Sequence, residues 1–249
     1  MTDSLGYRKK FAVIAPSTNT SVQPEFGWMA PHGVTNHFAR ITIPDDPVHS
    51  DEDFDQLMKN IRHTMMETID SVMTCGPDAL VMGMSSETFW DGLEGSILLR
   101  RRVEERARGI PVTMGSDACQ AALKLYGDIK RIGVITPYMP IGDNMVRRFF
   151  TDCGFEIVNL VGLKCTSPVL IAHESEKRLR DAINEVNDPS VEAIVQVGTN
   201  LAMARLAGIA EFWLDKPVLA INTCTYWHAL RSNGINDKVH GFGSLLSEH

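Results

Sequence analysis

Four short stretches of this chain concentrate neutral hydrogen-bonding side chains. Pro16 to Val22 carries Ser17, Thr18, Asn19, Thr20 and Ser21, and Gly83 to Gly92 carries Ser85, Ser86, Glu87 and Thr88. Pro137 to Asn144 carries Tyr138, and Gly198 to Ala202 carries Thr199 and Asn200. Hydroxyls, amides and backbone N–H groups beside helix N-termini make a cradle for a carboxylate. The same residue types also cap helices, so any one of them has a local use as well. Glu87 is the one carboxylate at the start of such a stretch. Buried, it is a candidate acid or base; at a helix start its charge is simply favourable.

No other machinery competes with this reading. The chain has no GxxxxGK[ST], no GxGxxG after its first strand, no HExxH and no GxSxG, so neither a cofactor nor a metal is expected.

The elements that must position these stretches alternate in type. Apolar runs at Phe11–Ala15, Ala79–Met82, Ile132–Thr136, Ala193–Val197 and Val218–Ile221 read as buried strands, with further strands at His37–Ile43, Pro111–Met114 and Glu156–Val161. From Asp53, apolar residues recur at three and four (Phe54, Leu57, Met58, Ile61, Met65, Ile69), which predicts a helix laying one face on a sheet. Helices are also expected near 95–108, 116–126, 142–153, 175–187, 201–213 and 224–232. The fold class this implies is α/β, with parallel sheets covered on both faces.

The chain repeats itself. Val13-Ile14-Ala15-Pro16 returns as Val134-Ile135-Thr136-Pro137, Asp78 to Val81 as Glu192 to Val195, and Pro111-Val112 as Pro217-Val218. Three matches in one order predict two pseudo-symmetric, doubly wound halves: residues 1–115 with 223–249, and residues 116–222. Their strand C-termini would face a shared crevice, the usual ligand site of open α/β sheets.

Composition narrows the partners. The 249 residues include 24 Lys and Arg against 31 Asp and Glu, a net charge of −7, with 44% hydrophobic and 22% charged residues. An acidic chain argues against nucleic-acid binding, and no apolar run approaches the roughly 18 residues of a membrane span. The polar N-terminus lacks the apolar core of a signal peptide. Five cysteines without CxxC spacing read as reduced thiols, so a cytoplasmic location is expected. Trp28, Met29, Met65 and Met66 are candidates either for the core or for contact with a second copy of the chain.

The stretches Val13–Thr20, Leu80–Ser85, Val134–Tyr138, Val197–Thr199 and Pro217–Asn222, leading to Trp227 and Leu230, resemble the Asp/Glu racemase superfamily. Within it the chain is most similar to the maleate cis-trans isomerase and arylmalonate decarboxylase branch. The resemblance implies two α/β halves and a cofactor-free site between them. It also implies a pocket tyrosine at Tyr138 that donates to a substrate carboxylate, and an asparagine at Asn19. Racemases and isomerases of this kind use two cysteines, one after an equivalent strand of each half; decarboxylases keep only the second. The repeat places those positions at Gly83 and Val197, and neither is cysteine. Met82, Met84, Gln196 and Gly198 exclude a slip of one residue.

Other thiols are candidates to substitute. Cys75 and Cys153 end helices and read as structural. Cys119 and Cys224 lie near helix N-termini, where a thiol pKa falls, and Cys165 sits beside Thr166 and Ser167 in a crossover segment. The expected catalytic groups are therefore Glu87, Tyr138 and Cys224. The expected substrate contacts are Asn19, Gly83, Ser85, Ser86, Val197, Gly198, Thr199 and Asn200.

Three functions fit these residues. The first is a cofactor-independent isomerase, decarboxylase or lyase acting on a small carboxylic acid. The second is a hydrolase using Glu87 or Ser85/Ser86, and the third a non-catalytic sensor of small carboxylates.

Overall fold

The computed structural model describes residues 3–249. It holds two four-stranded, all-parallel sheets. The first comprises β1 (Lys9–Pro16), β2 (Val34–Ile41), β3 (Ala79–Met82) and β4 (Val112–Thr113), in the order β2-β1-β3-β4. The second comprises β5 (Arg131–Thr136), β6 (Glu156–Gly162), β7 (Ala193–Gln196) and β8 (Val218–Ala220), in the order β6-β5-β7-β8. One topology thus occurs twice. In each sheet the order reverses between the first and third strands, so the loops leaving β1 and β3, and those leaving β5 and β7, open the crevice where α/β sheets bind ligands. These are the four polar stretches.

The same backbone hydrogen bond lies just beyond one strand of each sheet. Gly83 N–H donates to Ile14 O at 2.8 Å just beyond β3, and Val197 N–H donates to Ile135 O at 2.8 Å just beyond β7. Gly83 and Val197 therefore occupy equivalent places at the ends of equivalent strands.

Helices cover both sheets: α1 (Val22–Met29), α2 (Asp51–Met73), α3 (Ser86–Phe89), α4 (Gly92–Arg106), α5 (Gly115–Leu125), α6 (Pro140–Asp152), α7 (Glu176–Val186), α8 (Ala204–Leu214), α9 (Ile221–Ser232) and α10 (Ser244–Glu248). Sequence periodicity does not announce α1, α3 or α10, because elements of four to eight residues carry too few turns to show a repeat.

Helix α2 begins three residues before the first apolar residue, Phe54, because Ser50 caps it. Ser50 Oγ accepts from Asp53 N–H, and Asp53 Oδ2 accepts from Ser50 N–H, a reciprocal capping box. Its buried residues include Phe54, Met58, Ile61, Met65 and Ile69, which supports a core-facing stripe.

The largest core cluster spans both sheets, so the two halves share packed side chains. Helix α9 contributes to this, packing on α1, β3 and β4 as well as on α5. Met29 and Met65 are buried in the core and Met66 packs against it, whereas Trp28 is half exposed beneath the Arg205 guanidinium. No helix among the described residues is long and apolar enough to cross a membrane.

Candidate active site

The loops after β1, β3, β5 and β7 converge on a cleft of about 60 Å³, room for a few waters. Its polar lining includes Asn19, Ser85, Ser86, Tyr138, Thr199 and Asn200. Its apolar lining includes Ile43, Phe54, Leu57, Ile61 and Ile171. Among the described residues, no charged side chain and no cysteine lines it.

The polar side is one connected network across the two halves. Ser85 Oγ lies 2.7 Å from Tyr138 Oη and accepts from Thr199 N–H at 3.1 Å. Asn19 Nδ2 donates to Thr199 Oγ1 at 3.0 Å, and Thr199 Oγ1 donates to Gly83 O at 3.3 Å. Asn200 Oδ1 accepts from Thr20 N–H at 2.9 Å, while its Nδ2 donates to Pro168 O at 3.0 Å. Asn19 Oδ1 accepts from Ser21 and Val22 N–H, which aims its amide NH₂ at the cleft side of the loop.

Gly198 has φ +113°, and a Cβ there would meet Pro137 Cδ at 2.5 Å. Only glycine lets the Thr199 loop pass this close to the Tyr138 loop. Burial pushes the Tyr138 phenol well above its ordinary pKa, so it stays protonated and has a proton to donate.

The sequence-predicted residues divide accordingly. Asn19, Ser85, Ser86, Tyr138, Gly198, Thr199 and Asn200 meet at the cleft. Gly83 and Val197 do not line it; they sit at the strand ends beneath, Gly83 offering its carbonyl to Thr199.

Cys224 is fully buried on α9 against Cys119, away from the cleft lining, and burial raises its thiol pKa. Tertiary burial here outweighs the acidifying effect of a helix N-terminus. Cys165 is also buried off the cleft; its Sγ donates to Glu174 Oε1 at 3.4 Å, and burial pushes the thiol up to about 12.

Glu87 faces α2 and not the ligand space. Its two carboxylate oxygens accept from Arg62 Nε at 2.8 and 2.9 Å. The Arg62 guanidinium also lies 5.2 Å from the Trp90 ring, which stacks on Phe54 at 6.2 Å. Phe54 in turn touches Tyr138 at 5.3 Å between ring centroids. Glu87, Arg62 and Trp90 thus form a layer behind the aromatic wall. Phe89 belongs to the core with Phe149 and Phe150.

Burial raises the Glu87 pKa, and Arg62 opposes that rise without cancelling it. Arg62→Ala is expected to destabilise the protein by about 1–2 kcal/mol at neutral pH, a buried-pair loss reduced because the Arg62 side chain is 35% exposed. With its folded pKa raised, Glu87 weakens folding only as pH climbs past its unfolded value of about 4.3. The Arg62→Ala loss should therefore shrink toward pH 4. Urea unfolding at two pH values checks this; an equal loss at both would mean that charge is not the cause.

Sequence reading missed the apolar side of the cleft. Phe54, Leu57 and Ile61 are legible as an apolar stripe, but they also line the cleft. Pro168 and Ile171 arrive from the crossover after β6, with no local signal.

Two parallel sheets thus meet at their switch-point loops across a network of neutral donors. Comparison with known proteins gives the family. The model of the arylmalonate decarboxylase family matches residues 12–246, and the chain belongs to that family.

The maleate isomerase of Alcaligenes faecalis is 26% identical over 151 residues, 60% of this chain and 59% of that protein. The chain thus aligns with little more than half the length of this curated relative. The maleate cis-trans isomerase of Nocardia farcinica superposes with a TM-score of 0.86 at 20% identity, covering 97% of this chain and 99% of the other. That structure is of a cysteine-to-serine variant with a covalently bound succinylcysteine intermediate. A variant of arylmalonate decarboxylase in its liganded form, with one glycine changed to cysteine and one cysteine to serine, superposes at 0.80 with 17% identity, covering 96% and 99%. These likenesses establish the shared fold.

Proposed function

We propose that the protein is a cofactor-independent lyase that removes CO₂ from a small malonate-type acid in this cleft. The observation that carries the reading is the Ser85–Tyr138 hydroxyl pair in a cleft that Phe54, Leu57 and Ile61 also line. Loss of CO₂ needs no base. It needs one carboxylate held by donors, a second kept in apolar surroundings where its charge is poorly solvated, and stabilisation of the enediolate that forms.

The Asn19 amide and the hydroxyl pair supply the donors, and the apolar wall takes the departing group. The carbon–carbon bond to one carboxylate breaks, CO₂ leaves, and the electron pair enters the remaining carboxylate as an enediolate. The carbon then takes a proton from the Tyr138–Ser85 pair, which solvent restores. The net change is a dianion plus one proton giving a monoanion plus CO₂.

Isomerisation through a cysteine adduct is disfavoured because, among the described residues, no thiol lines the cleft. Hydrolysis is disfavoured because Glu87 is engaged by Arg62, while Ser85 is bonded to a tyrosine and a backbone N–H instead of a base. A second reading, binding without turnover, draws support from the mutual pairing of the donors.

Incubating the protein with phenylmalonate, with methylmalonate and, separately, with maleate in D₂O separates these readings. The expected result is CO₂ release, with one deuterium at the α-carbon of the product. Tight binding without CO₂ would replace the lyase by a sensor, and conversion of maleate to fumarate would restore an isomerase.

A further inference from the structure

A buried acid lies one residue behind the cleft. Glu25, on α1, is 3% exposed. Its Oε1 accepts from Ala204 N–H, at the start of α8, at 3.0 Å. Its Oε2 accepts from Asn222 Nδ2, on α9, at 2.6 Å. The same Asn222 Nδ2 donates to Thr199 O at 2.9 Å. Thr199 is the residue whose N–H meets Ser85 and whose hydroxyl meets Asn19. Asn222 is 1% exposed, and its Oδ1 has no hydrogen-bond partner among the described residues. An unpaired buried acceptor is costly; here it leaves both Asn222 N–H groups directed at Glu25 and at the cleft loop.

We propose that Glu25 is a positioning residue: its ionised carboxylate fixes the Asn222 amide, and through it the Thr199–Asn200 loop. The assignment rests on the cleft being the functional site but not on which acid it binds.

The carboxylate needs two acceptor oxygens, since two donors from different helices point at it. Once protonated, one oxygen becomes a donor and must oppose either Ala204 N–H or the Asn222 NH₂. The link to Thr199 then loosens. Burial raises the Glu25 pKa to about 7, opposed by Asn222, the Ala204 N–H and the Arg205 charge. Arg205 of α8 is the charged group facing Glu25; its guanidinium sits over Trp28 and Phe242, and the groups arriving from α9 are neutral. The loop is accordingly held above neutrality and released below it.

Nuclear magnetic resonance of the ¹⁵N-labelled full chain tests this without a ligand. Across a pH titration, the Thr199 and Asn200 amides and the Asn222 side-chain amide should shift together, with a midpoint of about 7. In Glu25→Gln that shift should vanish, and exchange of the Leu201 amide, which bonds Gly198 O, should quicken about tenfold. Should Glu25→Gln not fold, Asn222→Ala serves instead: the Glu25 carboxyl still titrates while the loop amides stay flat. Flat loop amides in the unaltered protein, or an equal titration in Glu25→Gln, would overturn the assignment. Methylmalonate added as a probe keeps the two proposals apart. A titrating loop without methylmalonate binding would sink the lyase reading alone, and binding beside a flat loop would sink this one alone.

Discussion

Tyr138→Phe is expected to slow CO₂ release from a malonate-type acid by about 100- to 1,000-fold, the usual cost of removing one oxyanion donor. The change deletes a single oxygen. The ring keeps its contact with Phe54 at 5.3 Å, and Ser85 keeps the Thr199 N–H, so the cleft retains its shape. Stability should fall by no more than about 1 kcal/mol, the net worth of one hydrogen bond. The loss should appear in kcat with little change in KM, because the hydroxyl matters most as charge grows on the enediolate. Steady-state kinetics with a parallel melting curve decide it. An unchanged kcat would remove Tyr138 from the chemistry, and a loss confined to KM would make it a binding group.

The second large effect is structural. Asn200→Ala should destabilise the protein by about 2–3 kcal/mol, a fall in melting temperature of roughly 5–10 °C for a chain of this size. Asn200 Oδ1 serves Thr20 and Ser21 N–H at 2.9 and 3.3 Å, and Nδ2 serves Pro168 and Thr18 carbonyls at 3.0 and 3.4 Å. Ser21 N–H has a second acceptor in Asn19 Oδ1, and Thr20 is exposed to water. The cost therefore concentrates on the buried Pro168 carbonyl and on the lost tie between the halves.

Asn200→Asp is the sharper control. It keeps the two acceptor bonds but sets a carboxylate against two carbonyls beside the cleft, so under the proposed function it should weaken acid binding more than Asn200→Ala does. Urea denaturation and calorimetric titration with methylmalonate report the two effects separately. An Asn200→Ala protein within about 0.5 kcal/mol of the unaltered one would refute the tie.

By itself, the sequence determined the alternation of strand and helix, the duplicated order of apolar runs and the family likeness. It also determined that the loops after β1, β3, β5 and β7 hold the polar site, and that neither Gly83 nor Val197 supplies a thiol. These follow from local facts: side-chain period, strand length and the position of a loop after its strand. Periodicity reports that a residue is buried, not what buries it. That is why Phe54, Leu57 and Ile61 read as sheet contacts yet form the cleft wall.

The tertiary structure alone decided the partners. Asn19 and Thr199 meet across 180 residues of chain. Glu87 turns from a candidate acid into the anchor of Arg62, and Cys224, expected to be activated at a helix start, is shut into the core beside Cys119. Glu25 carries no signal in the chain, since α1 is too short to display a period and its two donors come from helices about 180 to 200 residues later. The charge state of each acid depends on burial and on donors brought from afar, and only the packed chain sets both.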